Sequence, residues 1–406
     1  MVVKYRAIKQ FGRYNTRRFK QLYESWLKEA MPPFEVPADL KALNVKIHDP
    51  NLIHCLDLTT NPLVVDGQTP VASSETCFTF DGTESLAEGV KQALNLIKAV
   101  GHVGLPQKIT EKLSDVQFYD LDSALTKFIM QANKWSSTLL KLPVRRDPTV
   151  WWFNWPRYYG IPSVRKSSIL FDNFLRHSFV LMQQNGVRVN QRLFRNECVK
   201  DFMRKDDELL CFSVKPYIAL WKRSLLPPLS DPNEVTETRH EKLVDIHPVH
   251  PLVDLRKESI SEIRSIYPTA PPSFPIIHTT FIVKDVDYRY PWTKNELAGN
   301  AILSCFANAI AIANKLYGSS PIVLPTPIVC QCVQCCENNF DFCVLQLNTT
   351  KVGGSDGVKN IVWHDTSNTL FNAPPYWENL QTIDGLNSNV FKKFMALVLH
   401  SATDGD

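Results

Sequence analysis

Apolar residues recur at spacings of three and four positions in five segments of the chain, which is the period of an amphipathic helix. They predict helices at about residues 83–100, 120–140, 168–184, 293–318 and 389–400. The fourth of these has the clearest boundary signals. Thr293 and Glu296 form a capping box, in which each side chain satisfies a free backbone amide at the helix start. Gly318 follows the last apolar residue and predicts the helix end.

From about residue 187 the pattern changes to short runs of β-branched and aromatic residues, which predict strands. The runs lie at residues 194–203, 209–215, 276–284, 328–334, 340–348 and 358–364. Residues 353–357 are glycine-rich and predict a turn, so the last two strands form a hairpin. The predicted fold class is α+β, with N-terminal helices followed by an antiparallel sheet of short strands, packed by the long fourth helix and a C-terminal helix.

Proline and charge divide the chain into an N-terminal arm and a body. Residues 1–82 predict a basic extended arm with a possible mitochondrial presequence, because the first 20 residues are Arg-rich and free of acids. Residues 83–406 predict a single α+β body, in which a Pro-rich segment at 226–275 is irregular. No apolar run approaches the roughly 18–20 residues that span a bilayer, so no membrane is expected as a partner.

The positive charge is concentrated at the N-terminus. The chain has 45 Lys and Arg against 41 Asp and Glu, a net charge of +4. Removing the seven cations of the first 20 residues leaves 38 against 41, a net charge of −3. Since RNA binding depends on cations clustered at phosphates, contact with RNA is expected to be local. The N-terminal candidates are Lys4, Arg6, Lys9, Arg13, Arg17, Arg18 and Lys20.

A second candidate region mixes arginine with aromatic residues. Its cations, Arg145, Arg146 and Arg157, are further candidates for RNA contact, because arginine pairs with phosphate while bases stack on exposed rings. The alternative is that the rings are buried in the core or in an interface with another protein, where tryptophan and tyrosine are enriched. The interface candidates are Trp151, Trp152, Trp155, Tyr158 and Tyr159.

Five cysteines lie within 14 positions and raise the possibility of a metal site. They are Cys330, Cys332, Cys335, Cys336 and Cys343. A structural zinc site usually takes two cysteine pairs separated by a loop, and only one clear pair is present. Free cysteines also pack readily as small apolar residues. No motif of a nucleophile with its base or of a phosphate loop occurs, so neither catalytic residues nor a cofactor are predicted.

Residues 345–365 are the most distinctive part of the chain. They contain Gln346-Leu347-Asn348-Thr349-Thr350, Gly357-Val358-Lys359-Asn360, Trp363 and Asp365. This segment resembles the mitochondrial ribosomal large-subunit protein thirty-seven family, and the similarity extends to residues 88–94, 296–318 and 391–397. The resemblance implies a structural constituent of the mitochondrial large ribosomal subunit, located in the matrix and supporting translation. It also implies that the partners are large-subunit rRNA and neighbouring ribosomal proteins, including the family's paralogue.

Three alternatives stay open from the sequence. The chain could be the paralogue itself, a large-subunit protein formerly numbered small-subunit protein thirty. A metal- or thiol-dependent enzyme could use the cysteines between Cys330 and Cys343. A soluble mitochondrial RNA-binding factor outside the ribosome would bind RNA on its own, with a steep dependence on salt.

Overall fold

The computed structural model describes residues 74–402, apart from residues 115, 134–139, 143–158, 263–264, 269–273, 287–290 and 374–382. Helices are interspersed with runs of consecutive strands along the described part. The helices are α1 (Val90–Leu96), α2 (Gln107–Thr110), α3 (Leu121–Asn133), α4 (Ser163–Gln184), α5 (Pro232–Glu237), α6 (Lys294–Tyr317) and α7 (Asn389–Ala402). A 3-10 turn follows α2 at Glu111–Leu113.

The strands form two larger sheets and one short ladder. They are β1 (Ser74–Phe80), β2 (Ala99–Val103), β3 (Leu140–Lys141), β4 (Tyr159–Gly160), β5 (Arg192–Arg195), β6 (Val199–Lys205), β7 (Glu208–Val214), β8 (Ile218–Lys222), β9 (Arg256–Glu262), β10 (Ile276–Val283), β11 (Val323–Cys336), β12 (Asn339–Thr349) and β13 (Asn360–Thr369). The seven-stranded sheet has the order β2-β13-β12-β11-β10-β8-β5, and the four-stranded sheet has the order β6-β7-β1-β9. The predicted α+β class is confirmed, and the predicted hairpin is the antiparallel pair β12–β13.

Most strand pairs are antiparallel, as predicted, but three are parallel. These are β1 with β7, β10 with β11, and β2 with β13. Parallel neighbours need long connections, and here α6 connects β10 to β11. The alternation of apolar residues along a strand is the same for both senses of pairing, so the sequence could not indicate which neighbours are parallel.

Helix α6 lies between the two larger sheets. Its buried side chains share one apolar cluster with residues of both sheets, and the ring of Phe306 contacts that of Phe212 on β7 at a centroid distance of 5.2 Å. The capping box is present, since Thr293 Oγ1 accepts from Glu296 N and Thr293 N donates to Glu296 Oε2. Among the described helices, α6 is long and apolar enough to cross a membrane, but its most apolar stretch is 89% buried within the protein. Burial on all sides accounts for its composition.

The opposite face of the seven-stranded sheet is covered by α3, α4 and α7. Its core is a set of stacked and edge-to-face phenylalanines, which are fully buried. Phe394 on α7 lies within 6.3 Å, centroid to centroid, of Phe171, Phe174, Phe281 and Phe391. The central sheet is therefore buried on both faces, which explains the long apolar runs of β10, β11 and β12.

Three predicted segments differ from the structure. The single strand predicted over residues 194–203 is divided between β5 and β6, which belong to different sheets, and Asn196 between them has φ 56°. The helix predicted over residues 83–100 is confined to α1, because Gly89 has φ 52° at its start and Lys98 has φ 50° just after its end. The following residues form β2 beside β13 instead. The segment predicted to be irregular, residues 226–275, contains α5 and β9, and α5 has its own capping box of Asp231 and Glu234.

Asp341 on β12 is a buried carboxylate from which a pH dependence follows. Its oxygens accept from Ser367 N at 2.9 Å and Gln334 Nε2 at 3.3 Å, and desolvation raises its pKa from 3.8 to about 6. The folded protein therefore binds this proton more tightly than the unfolded chain does, and stability falls as the pH rises from about 4 to 6.

We expect Asp341→Asn to remove this dependence. Relative to the variant, the wild type should lose about 2–3 kcal/mol of unfolding free energy between pH 4 and pH 7. Urea unfolding of both proteins at several pH values measures the difference. If the unfolding free energies of the two proteins differ by the same amount at every pH, Asp341 is not the cause of the pH dependence.

Candidate functional site

The residues that carry the family resemblance form the β12–β13 hairpin and its connecting loop, residues 350–359, which we call the signature loop. The loop contacts the turn between β6 and β7, where Asp206 Oδ1 accepts from Gly354 N at 3.2 Å. A Cβ atom at position 353 would lie 2.7 Å from the same oxygen, so any residue larger than Gly353 would displace the Asp206 side chain. The loop is thus held against the four-stranded sheet.

Two buried asparagines clamp the base of the signature loop. Asn360 Oδ1 accepts from Asn348 N at 2.8 Å and Thr349 N at 3.0 Å, while Asn348 Nδ2 donates to Lys359 O at 2.9 Å. Asn360 Nδ2 also donates to Ile97 O at 2.9 Å, which ties the hairpin to the end of α1. Buried amides need such partners, so both side chains have a structural role.

Buried lysines tie the signature loop to its surroundings. Lys98 Nζ donates to Gly353 O at 3.2 Å and also to Asp356 O, and desolvation is the main cause that lowers its pKa. Lys359 is 1% exposed, and its Nζ donates to Thr238 O at 3.0 Å. Both ammonium groups are buried and donate to backbone carbonyls, which leaves them poorly placed to bind a ligand.

Lys205 joins three segments at one point. Its Nζ donates to Asn95 O, Leu96 O and Val352 O, each at 3.1 Å. The first two carbonyls are at the C-terminal end of α1, where a cation is favoured by the helix dipole. Desolvation lowers the pKa of Lys205 to about 8. Lys205 therefore fastens α1, β6 and the signature loop together.

The hairpin also anchors the segment that follows β8. Gln346 is fully buried, and its Oε1 accepts from Leu229 N at 2.8 Å and Ser230 N at 2.9 Å. Its Nε2 donates to Asn348 Oδ1 at 3.0 Å, which extends the same network. The buried side chain of Gln346 therefore holds the backbone of residues 229–230 in the protein interior.

The second matching segment, residues 88–94, packs against α6. A Cβ atom at Gly299 would lie 2.7 Å from the backbone C and O of Gly89, so the two backbones approach too closely for a larger residue at 299. Asn295 secures the same contact, donating from Nδ2 to Glu88 O at 3.1 Å and accepting at Oδ1 from Val90 N at 3.3 Å. Matching segments that lie 200 positions apart in sequence therefore meet in the fold.

A second contact of the same segment involves the chain before β9. Gln92 is fully buried, and its Nε2 donates to Pro251 O at 3.1 Å and Val253 O at 2.6 Å. Asp254 Oδ2 accepts from Ala87 N at 2.8 Å. The residues that carry the resemblance thus build a connected internal network.

A cavity of about 670 Å³ lies beside the signature loop. Its polar groups serve the backbone: Lys205 donates to three carbonyls, and His250 Nδ1 accepts from Leu252 N at 3.2 Å. Ser355 Oγ bonds to Asp356 Oδ1 at 3.3 Å. Among the described residues that line this cavity, no serine is hydrogen-bonded to a histidine.

The five cysteines are divided between the two faces of the seven-stranded sheet. Cys330, Cys332 and Cys343 belong to the cluster around α6, whereas Cys335 belongs to the cluster on the opposite face. Desolvation raises the pKa of Cys330, Cys332 and Cys335, and that of the half-buried Cys336 to about 12. Among the described residues no group of three or more His, Cys, Asp or Glu side chains is placed to hold a metal ion.

Most of the predicted contact residues lie outside the described residues. Tyr159 is the exception: it is 63% exposed, in the short β3–β4 ladder, and so is accessible to a partner. The candidates outside are Lys4, Arg6, Lys9, Arg13, Arg17, Arg18, Lys20, Arg145, Arg146, Arg157, Trp151, Trp152, Trp155 and Tyr158.

The sequence did not reveal that Lys98, Lys205 and Gln92 have internal roles. Lys205 lies in a charged run of five residues, a pattern typical of an exposed turn. The run does form a turn, because Asp206 and Asp207 have positive φ, but Lys205 is only 8% exposed. A lysine that meets only distant backbone carbonyls leaves no signal in local sequence.

Comparison with known proteins shows which of them the chain is similar to. No family model matches the chain. Large ribosomal subunit protein mL37 from Bos taurus is 27% identical over 355 residues, covering 82% of this chain and 77% of that protein. The Rattus norvegicus protein of that name is 28% identical with the same coverage, and the Gallus gallus protein is 26% identical over 82% of this chain and 76% of its own length. The resemblance indicated by the sequence is therefore confirmed: over about four fifths of its length the chain is similar to proteins named large ribosomal subunit protein mL37.

Proposed function

We propose that this protein is a structural constituent of the large subunit of the mitochondrial ribosome, acting in the matrix to support translation. The observation that carries the proposal is the similarity to proteins named large ribosomal subunit protein mL37, which extends over about four fifths of the chain. The signature residues add physical support for a structural role, because the side chains of Gln346, Lys359 and Asn360 bond to the backbone of other segments. No catalytic residue is assigned.

The partners proposed are large-subunit rRNA and neighbouring ribosomal proteins, including the family's paralogue. The seven N-terminal cations suit phosphate contacts, while the aromatic segment around residue 155 suits a protein interface. A protein of this kind binds its neighbours in the subunit by burying part of its surface against them.

The alternatives have less support. The relatives compared carry the mL37 name, which favours this family over its paralogue. An enzyme built on the cysteines has no supporting geometry in the described part of the chain, since these thiols are shared between two faces of a sheet.

Sedimentation of a tagged copy from mitochondrial lysate tests the proposal. The protein should migrate with the large subunit and the monosome in a sucrose gradient, and move wholly to the large-subunit fraction when EDTA dissociates the monosome. A tagged cytosolic protein imported by a grafted presequence serves as the control. Recovery only at the top of the gradient would overturn the ribosomal assignment.

A further inference from the structure

A cluster of aromatic rings lies at the β5 edge of the seven-stranded sheet, on the face towards α6. Phe194 on β5 contacts Trp221 on β8 at a centroid distance of 5.3 Å, and Trp221 contacts Tyr267 at 5.9 Å. Phe274, just before β10, packs against the same buried group. Trp221 is 1% exposed, so the rings form a shelf whose centre is closed to solvent.

Three exposed cations lie on this shelf. The guanidinium carbons of Arg192 and Arg223 are 5.3 Å and 6.0 Å from the centre of the Phe274 ring. Lys315, near the end of α6, has its Nζ 4.3 Å from the centre of the Tyr267 ring and donates to Pro275 O at 3.2 Å. We call Arg192, Arg223 and Lys315 the basic rim. The rings orient the cations without neutralising them.

The basic rim has no acidic partner among the described residues. Arg195, which points to the opposite face of the sheet, does pair with Asp172, at 2.8 Å. Asp201, which contacts the residue before Lys315, is buried, and its Oδ1 already accepts from Ser265 Oγ at 2.7 Å and Asn314 Nδ2 at 3.0 Å. The surrounding elements also lack Asp and Glu, over residues 181–196, 218–230, 274–284 and 297–320.

We propose that the basic rim binds the phosphate backbone of an RNA helix. Guanidinium groups with free N–H donors match phosphate oxygens in pairs. Because the rings beneath the cations are packed into the core, stacking with unpaired bases is disfavoured, and the surface is suited to backbone contact without base recognition. This inference rests on the proposed function, which supplies an rRNA partner, and assigns one contact surface within the described residues.

Salt-dependent binding tests the inference. The full-length chain would be titrated into a fluorescent RNA hairpin with an A-form stem, and the anisotropy followed at several KCl concentrations. Each phosphate contact contributes about 0.9 to the slope of log K against log [KCl]. The variant Arg192→Ala/Arg223→Ala/Lys315→Ala should therefore lower the slope by about 2–3. The wild type should lose about 40-fold more affinity than the variant between roughly 50 and 200 mM salt.

The matched control removes three cations from α4, on the other face of the sheet: Arg165→Ala/Lys166→Ala/Arg176→Ala. It changes net charge equally and should keep the wild-type slope. Equal slopes for the wild type and the rim variant, or an equal loss in both variants, would overturn the inference. Binding of polyglutamate to a chain that does not bind the RNA hairpin would also overturn the inference. The partner of the basic rim would then be an acidic protein.

Sedimentation of the same proteins separates this inference from the proposed function. If the wild type sediments with the large subunit and the rim variant keeps the wild-type salt slope, the proposed RNA contact of the basic rim is rejected and the ribosomal proposal stands. If the wild type stays at the top of the gradient, the ribosomal proposal is rejected, independently of the salt slopes measured for RNA binding. Unfolding midpoints of both variants near that of the wild type show that the substitutions leave the fold intact.

Discussion

Phe394→Ala is expected to lower the free energy of unfolding by about 3–5 kcal/mol, the largest effect predicted for this protein. The ring is fully buried and contacts four other phenylalanine rings from α4, α7 and β10. Truncation removes these contacts and leaves a cavity that rings from three separate elements cannot easily fill. Urea unfolding of the purified chain, followed by tryptophan fluorescence, measures the loss.

Phe394→Leu is the matched control, because it keeps an apolar side chain of intermediate size in the same place. It should cost about 1–2 kcal/mol, clearly less than the alanine variant. If alanine and leucine cost the same, or if alanine costs under about 1 kcal/mol, the phenylalanine cluster does not hold α7 on the sheet.

Lys205→Met is expected to cost about 2–3 kcal/mol, because it leaves backbone carbonyls of α1 and the signature loop without their buried donor. The methionine retains the length of the apolar stem, so the change isolates the ammonium group. Asn95 O keeps a second donor, Lys98 N at 3.2 Å, whereas the bonds from Lys205 to Leu96 O and Val352 O are lost. The same urea experiment gives the change.

Lys351→Met provides the comparison for this prediction. Lys351 lies in the same loop but is exposed, so its replacement should stay within about 0.5 kcal/mol of the wild type. Equal effects of the two substitutions would mean that charge near the loop, and not the three carbonyl contacts of Lys205, determines its stability.

Local sequence was enough to determine several elements. The capping box at Thr293 and the glycine at position 318 gave the bounds of α6, because helix ends depend on neighbouring side chains and on backbone conformation. The hairpin of β12 and β13 followed from a glycine-rich turn between two β-favouring runs. The C-terminal helix followed from its apolar period, although α7 extends to Ala402, two residues beyond the predicted end.

The family resemblance could also be recognised from the sequence, because the signature positions are close together along the chain. The sequence did not reveal the structural role of these positions. Gln346, Asn348 and Asn360 look like ordinary polar residues of a hairpin, yet all three are buried. Gln346 bonds to residues 229–230 and Asn360 to residue 97, each more than 100 positions away, whereas the partners of Asn348 lie within the hairpin. Only the folded chain brings those backbone groups within hydrogen-bonding distance.

The sequence by itself determined the helices and strands with strong local signals, the α+β class and the family resemblance. Tertiary structure decided the rest, including the parallel strand pairs, the burial of Lys205, and the aromatic shelf that orients Arg192 and Arg223. The physical reason is the range of the interactions. Helix caps and turns are fixed by residues a few positions apart, whereas desolvation, sheet order and ring contacts depend on segments that meet only in the folded protein.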